Sequence, residues 1–359
     1  MLAAQQARCG ALVRGNGRPL PAARRAAALG APRRSPLAVR AAAEPATAAA
    51  APPAALFAEL DGAALAYKKA PPSLKLEYSA DVKSAYESLQ SAGALPKWGS
   101  GAEALPARRN VFPGELRQMG IKNPDKLAVP SIRNDAAFLA SCIAVFSVLA
   151  VALGQLPGDW GFFGSYLSGA MILVVMGIGS TAPGLLQGII DQFSQIFPDY
   201  RQRVLQHEAA HFLVGYLLGV PVTGYSVAMT REHTEFAEAK LQARIFQRDL
   251  SEDDVNSLAA VSVAGIAAEG MAHEEVMGQT ADLMDLQRIL LRQRPPLSNA
   301  QQQNISRWAV WAAATLLRRH KAEHEALQAA LAGGASLAEC VRAIEGAGDA
   351  AAAAKPAAA

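Results

Sequence analysis

Val204-Leu205-Gln206-His207-Glu208-Ala209-Ala210-His211-Phe212-Leu213-Val214-Gly215-Tyr216-Leu217-Leu218-Gly219-Val220-Pro221 is the stretch on which the fold turns. Apolar residues run without a break from Phe212, and Gly219 and Pro221 stop them, so the spacing predicts one continuous helix. On such a helix, residues four apart stand one above the other on the same face. His207 and His211 can therefore reach a single Zn²⁺. Glu208 between them points to the water beside the ion rather than to the ion. Histidine is scarce, six in 359 residues, yet two of the six fall at ligand spacing.

Moving upstream, Ala136–Leu156 and Gly161–Ile190 carry no charged side chain. Each is long enough to cross a bilayer as a helix, the second within Phe163–Leu186. Between them lies Pro157-Gly158-Asp159-Trp160, a turn with an interfacial Trp and no Lys or Arg. Lys122, Lys126, Arg133, Arg201 and Arg203 flank the pair. By the positive-inside rule both ends of a 136–190 transmembrane hairpin face the same compartment, which holds His207.

The net charge of +3 owes much to the N-terminus. Residues 1–43 contain Arg8, Arg14, Arg18, Arg24, Arg25, Arg33, Arg34 and Arg40, with no acidic residue before Glu44. That composition predicts an organelle transit peptide cut near Val39-Arg40-Ala41-Ala42. The competing reading is a basic tail for anionic partners. Residues 44–56 read as an Ala/Pro linker and 57–133 as an accessory region of short helices and loops. Cys9, Cys142 and Cys340 are too scattered for a disulfide framework or a thiolate metal site.

Downstream, Val222–Val227 is expected as an edge strand. Helices are expected over Thr234–Asp249, Glu252–His273, Thr280–Arg292, Ala300–Ala330 and Ser336–Glu345, with a disordered tail from Gly346. A catalytic zinc needs a third protein ligand. The extended H-E-x-x-H-x-x-G-x-x-H pattern is absent, since Val214 and Leu217 stand where Gly and His would be. Glu232, Glu235, Glu238 and the segment Glu275–Leu283 offer carboxylates.

His207-Glu208-Ala209-x-His211-x-x-Val214-Gly215-Tyr216, then Gly265-x-Ala267-Ala268-Glu269, then Glu275-Val276 with a following Gly and Asp282-Leu283, resemble the peptidase domain of FtsH-type membrane zinc metalloproteases. Leu316-Leu317, His320, Leu327, Leu331 and Ser336-Leu337 resemble its closing helices, so the likeness covers about residues 200–345. It implies a mainly α fold, with the two-helix hairpin followed by a helical zinc peptidase domain (192–345) carrying at most a short β element. It also implies Zn²⁺ held by His207, His211 and Asp282, with Glu208 as general base. The step from Val276 to Asp282 is one residue shorter than the family's, which keeps Asp285 as an alternative.

The family's ATPase module has no counterpart, for no G-x-x-x-x-G-K-[ST] occurs. The family's substrate-pairing strand is also not evident, with Thr234–Glu238 near its place. The chain is thus similar to ATPase-less, FtsH-like plastid proteins. The expectation is a stroma-facing peptidase on the thylakoid or inner envelope, with the mitochondrial inner membrane as the alternative. It would act on unfolded or membrane-associated proteins, alone or fed by a separate ATPase-bearing partner, and not on nucleic acid. Two other functions fit the residues less fully: a non-proteolytic membrane scaffold on the same fold, and a site-2-type intramembrane protease. The latter lacks a later span to carry its aspartate.

Overall fold

Prolines open several of the helices here, where the missing N–H would have no partner anyway. The computed structural model describes residues 53–353 apart from 72, 130–132, 195, 227–232, 237–250 and 294. These belong to one compact unit, Ala49–Ala359. The expected transit peptide lies outside the described residues. Helix α1 (Pro53–Lys69) starts inside the stretch read as linker. It buries Phe57, Leu60, Ala64 and Tyr67, a stripe at helical spacing. Helix α2 (Lys75–Ser91) packs against it and buries Val82, Tyr86 and Leu89. Each has 17 residues, longer than the short helices expected. Short helices α3 (Ser100–Glu103) and α4 (Pro113–Gln118) follow.

Helices α5 (Arg133–Gly154) and α6 (Asp159–Thr181) are long and apolar enough to cross a membrane, and they pack on each other. Their outer surface is bare: Val148, Val151 and Leu173 are all about 70% exposed (69%, 67% and 71%). Apolar surface of that extent calls for lipid or a partner. Gly158 makes the turn between them at φ 79°. Gly161 follows, where a Cβ would overlap the Leu156 carbonyl.

The second apolar run is not one helix. Pro183 has no N–H to offer the carbonyl of Gly179, and it forces Ala182 out of helical backbone (φ −137°, ψ 63°). A separate helix α7 (Pro183–Ser194) begins there. Arg133 then reaches Asp199 (2.8 Å) in the first turn of the next helix, α8 (Pro198–Leu217), and stacks over Phe197.

Helix α8 is the hub. Gly219 (φ 73°) ends it, and strands β1 (Val222–Ser226) and β2 (His233–Phe236) pair antiparallel, with Tyr225 opposite Thr234. Thr234-Glu235-Phe236 was expected to open a helix and is strand instead. Pairing with β1 decides this, and a β-branched threonine suits it. The rest of that expected helix lies outside the described residues. Helices α9 (Glu252–Ser262) and α10 (Ala264–Ala272) replace one expected helix, bent by 42° around Val263. Helix α11 (Gln279–Leu291) follows. The expected Ala300–Ala330 helix is α12 (Asn299–Arg319) and α13 (Lys321–Ala332), broken at His320 (φ −108°, ψ 43°). Helix α14 (Leu337–Ala353) continues past Gly346 into the tail expected to be disordered, carried by its alanines, and the last six residues lie outside the described ones.

One core joins residues on both sides of the hairpin. Leu60, Tyr86, Leu89, Leu95 and Ile121 share it with Phe212, Leu217, Ile266, Trp308 and Val341. Hydrogen bonds stitch the two parts together. Tyr86 donates to the Val222 carbonyl (3.2 Å), Trp308 to Ala107 (3.2 Å), and the Lys122 amide to Gly270 (2.9 Å). The hairpin therefore leaves this body and returns to it on the same side.

Candidate metal centre

Four residues apart on α8, the rings of His207 and His211 lie with centroids 4.8 Å apart and planes tilted by 59°. Their Nε2 atoms face each other at 3.0 Å. The third group arrives from α11, whose first turn places Asp282 Oδ2 at 3.3 Å from both Nε2 atoms. Asp285, one turn on, points away and binds Arg288 at the surface (2.7 Å). Glu235 lies on β2, while Glu232 and Glu238 fall outside the described residues.

The protons on the rings follow from their other neighbours. His211 Nδ1 lies 2.8 Å from the Val261 carbonyl, which can only accept, so Nδ1 carries the hydrogen. His207 Nδ1 lies 2.6 Å from Glu269 Oε1 and donates to that carboxylate. In the neutral rings both Nε2 atoms then present lone pairs, to each other and to Asp282 Oδ2. That oxygen is buried and finds no hydrogen-bond donor. Three electron-pair donors meeting at 3.0–3.3 Å repel one another unless a cation or proton lies between them. Two donors on a tetrahedral zinc with bonds of ~2.0 Å stand about 3.3 Å apart. The residues fit the ion.

Charge points the same way. Burial alone would depress both imidazoles, but the Asp282 carboxylate beside them outweighs it and raises both pKa values, His207 well above the ordinary range with help from Glu269. Burial works against the Asp282 carboxylate, yet the two imidazoles hold it below the usual range. Among the described residues no lysine or arginine is ion-paired to Glu269 or Asp282. The cluster attracts positive charge that the described side chains do not bring.

Glu208 is buried on the same helix, and its Oε2 accepts from Thr234 Oγ1 of β2 (2.8 Å). Glu269, in the middle of buried α10, also accepts from the Met277 amide (3.0 Å), fixing the loop that leads to Asp282. Two glycines make room. A Cβ at Gly265 would fall onto the His207 ring, and one at Gly278 would come within 2.8 Å of it.

The structure thus brings His207, His211 and Asp282 together, with Glu208 alongside. Sequence reasoning assigned no role to Glu269, Thr234, Gly265 or Gly278. A signal for Glu269 was present: a lone acid on a helix otherwise made of Gly, Ala, Ile and Met. Compared with protein-family models, curated proteins and solved structures, the chain finds no match.

Proposed function

We propose that the chain is a membrane-anchored zinc metalloendopeptidase of the FtsH-like type. Helices α5 and α6 would span a plastid membrane, and the site would face the stroma. The observation that carries this reading is the convergence of His207 Nε2, His211 Nε2 and Asp282 Oδ2 beside a glutamate on the same helix turn. A zinc ion held by those three atoms would supply Lewis acidity, polarising a scissile carbonyl and making water acidic enough to attack near neutral pH.

The chain's own groups do the rest. Glu208 takes the proton of the attacking water and returns it to the leaving amide nitrogen. Thr234 holds one oxygen of that carboxylate, so the proton is taken on the other. Glu269 keeps the proton of His207 on Nδ1 and its lone pair on Nε2. The sequence carries no G-x-x-x-x-G-K-[ST] pattern, so the substrates are segments already unfolded or those fed to it by a separate ATPase.

The test uses the full chain in detergent with an unfolded protein substrate. Wild type should bind one equivalent of zinc and cleave. Glu208→Gln should keep the zinc and lose roughly 10²–10⁴-fold in rate, the usual worth of a general base. His211→Ala should lose stoichiometric zinc. Equal cleavage by wild type and Glu208→Gln sinks the mechanism, whereas an inactive wild type with full zinc would favour the scaffold reading.

A further inference from the structure

The helix between the hairpin and α8 has two apolar faces. Leu186 and Ile190 point inward and pack with Phe138, Leu139, Cys142, Val175 and Ile178 at the base of α5 and α6. Leu185 and Ile189 point outward, 63% and 47% exposed, and Ile196 in the following turn is 72% exposed. An isolated exposed leucine needs no explanation, but an i, i+4 pair on a helix already packed on apolar spans is a surface.

The orientation of α7 follows from its two ends. Near its start, Leu186 touches Gly179, two residues before α6 ends. At its other end, Ser194 accepts from Asn134 (2.8 Å), one residue after α5 begins. Those two positions lie at the same end of an antiparallel hairpin whose helices have 22 and 23 residues. Leu186 and Ser194 are separated by about 12 Å of helix. If α7 ran along the hairpin, its ends would sit at depths that far apart. They sit at one depth instead, so α7 crosses the base of the pair. Phe193 against Phe138 (5.4 Å, edge to face) fixes it there.

We infer that α7 lies in the plane of the membrane surface, with Leu185, Ile189 and Ile196 immersed at the boundary of headgroups and acyl chains. This rests on the reading of α5 and α6 as membrane spans. Lipid is the occupant because α7 packs, through Leu186 and Ile190, on the base of the two helices that are apolar enough to span a membrane and whose own outer side chains are bare. An amphipathic helix in that plane anchors through buried apolar area. Helix α8 begins at Pro198, four residues after α7 ends, and His207 follows about 14 Å along it. The site is then held at a fixed short height above the lipid, within reach of segments leaving the bilayer.

The test places nitroxide labels on the full chain in phosphatidylcholine–phosphatidylglycerol vesicles, with Cys9, Cys142 and Cys340 replaced. Leu185→Cys and Ile189→Cys are compared with Val148→Cys in mid-span and Lys321→Cys on the far body, reading collision with oxygen against a water-soluble nickel chelate. Ile196→Cys repeats the measurement outside any helix. The expected result is an oxygen-to-nickel ratio between those of the two references at all three positions. A ratio like that of Lys321, with Val148 in lipid, places α7 in water and overturns the inference alone. Exclusion of both reagents means that protein covers the face, and overturns it too. A water-exposed Val148 removes the spans and the inference together.

Discussion

His207 is positioned by one set of neighbours and charged by another. Gly265 and Gly278 leave space for the ring, Glu269 fixes its proton, and Asp282 and His211 meet its Nε2 where one cation could be shared. Glu269→Gln keeps an acceptor for Nδ1 but removes the charge, so zinc affinity should fall about 10–100-fold in competition with a chelator. An unchanged affinity would reduce Glu269 to packing. The metal-free protein should show a pH signature of the same cluster. His207 and His211 have folded pKa values raised above the unfolded ones, so their contribution to stability is complete below about pH 6.5 and drains away as pH rises. Asp282 has a depressed folded value, so its contribution is present above about pH 4 and is lost as pH falls. Chelated protein should therefore melt highest between about pH 4 and 6.5 and progressively lower towards pH 9. Added zinc takes the place of the shared proton and should raise Tm more at pH 8 than at pH 5. A chelated Tm that is flat from pH 6 to 9 contradicts this. The spacing of His207, Glu208 and His211 was legible in the sequence because it repeats a helix turn. Asp282 came from the family resemblance and not from spacing, which kept Asp285 open because both lie on one turn of the same helix and only the packing of α11 separates them.

Strand β2 shows what an element contributes beyond its residues. Among the described residues it has four residues and one neighbouring strand, yet it carries Thr234 to the Glu208 carboxylate across 26 positions of chain. A hydrogen bond to a charged group is worth roughly 1.5–3 kcal/mol. Thr234→Val should thus lower kcat about 10- to 100-fold with little change in KM or in bound zinc, and Thr234→Ser should restore most of it. Loss of activity in both variants alike would mean that the strand, not the hydroxyl, matters. The strand was hidden in the sequence because its identity depends on its partner β1 rather than on local pattern. The long helices were visible from periodicity, but their breaks were not all visible. Pro183 was a readable stop inside the second apolar run. The bends fall at Val263 and His320, neither of them a proline or a glycine, so local pattern did not mark them.

On the scale of the whole molecule, the accessory region and the candidate metal-site region belong to one compact unit with a shared core. Nothing local in residues 57–127 announces that their apolar faces belong with residues beyond 209, because hydrophobic pattern tells which face is buried and not against what. Leu89 and Tyr86 are fully buried, and Tyr86 stacks on Trp98 and lies against Tyr216 of the α8 helix. Lys97 closes the far side, its Nζ bonding the carbonyls of Ile344 (2.7 Å) and Glu345 (3.0 Å) and pairing with Glu323 (3.2 Å). Leu89→Ala should cost about 2–5 kcal/mol, as for other buried leucines. It should lower the unfolding midpoint of the entire body in one transition, followed by circular dichroism and by release of bound zinc. The same argument forbids excising residues 192–345. That fragment would expose the surface that Leu60, Val82, Tyr86, Leu89 and Leu95 cover, and it should be insoluble or collapsed without ordered packing. Adding residues 53–129 as a separate chain should restore solubility and zinc binding together. A fragment 192–345 that binds zinc and melts cooperatively by itself would show the two regions to be independent, and would make the shared core an accident of contact rather than the basis of the fold.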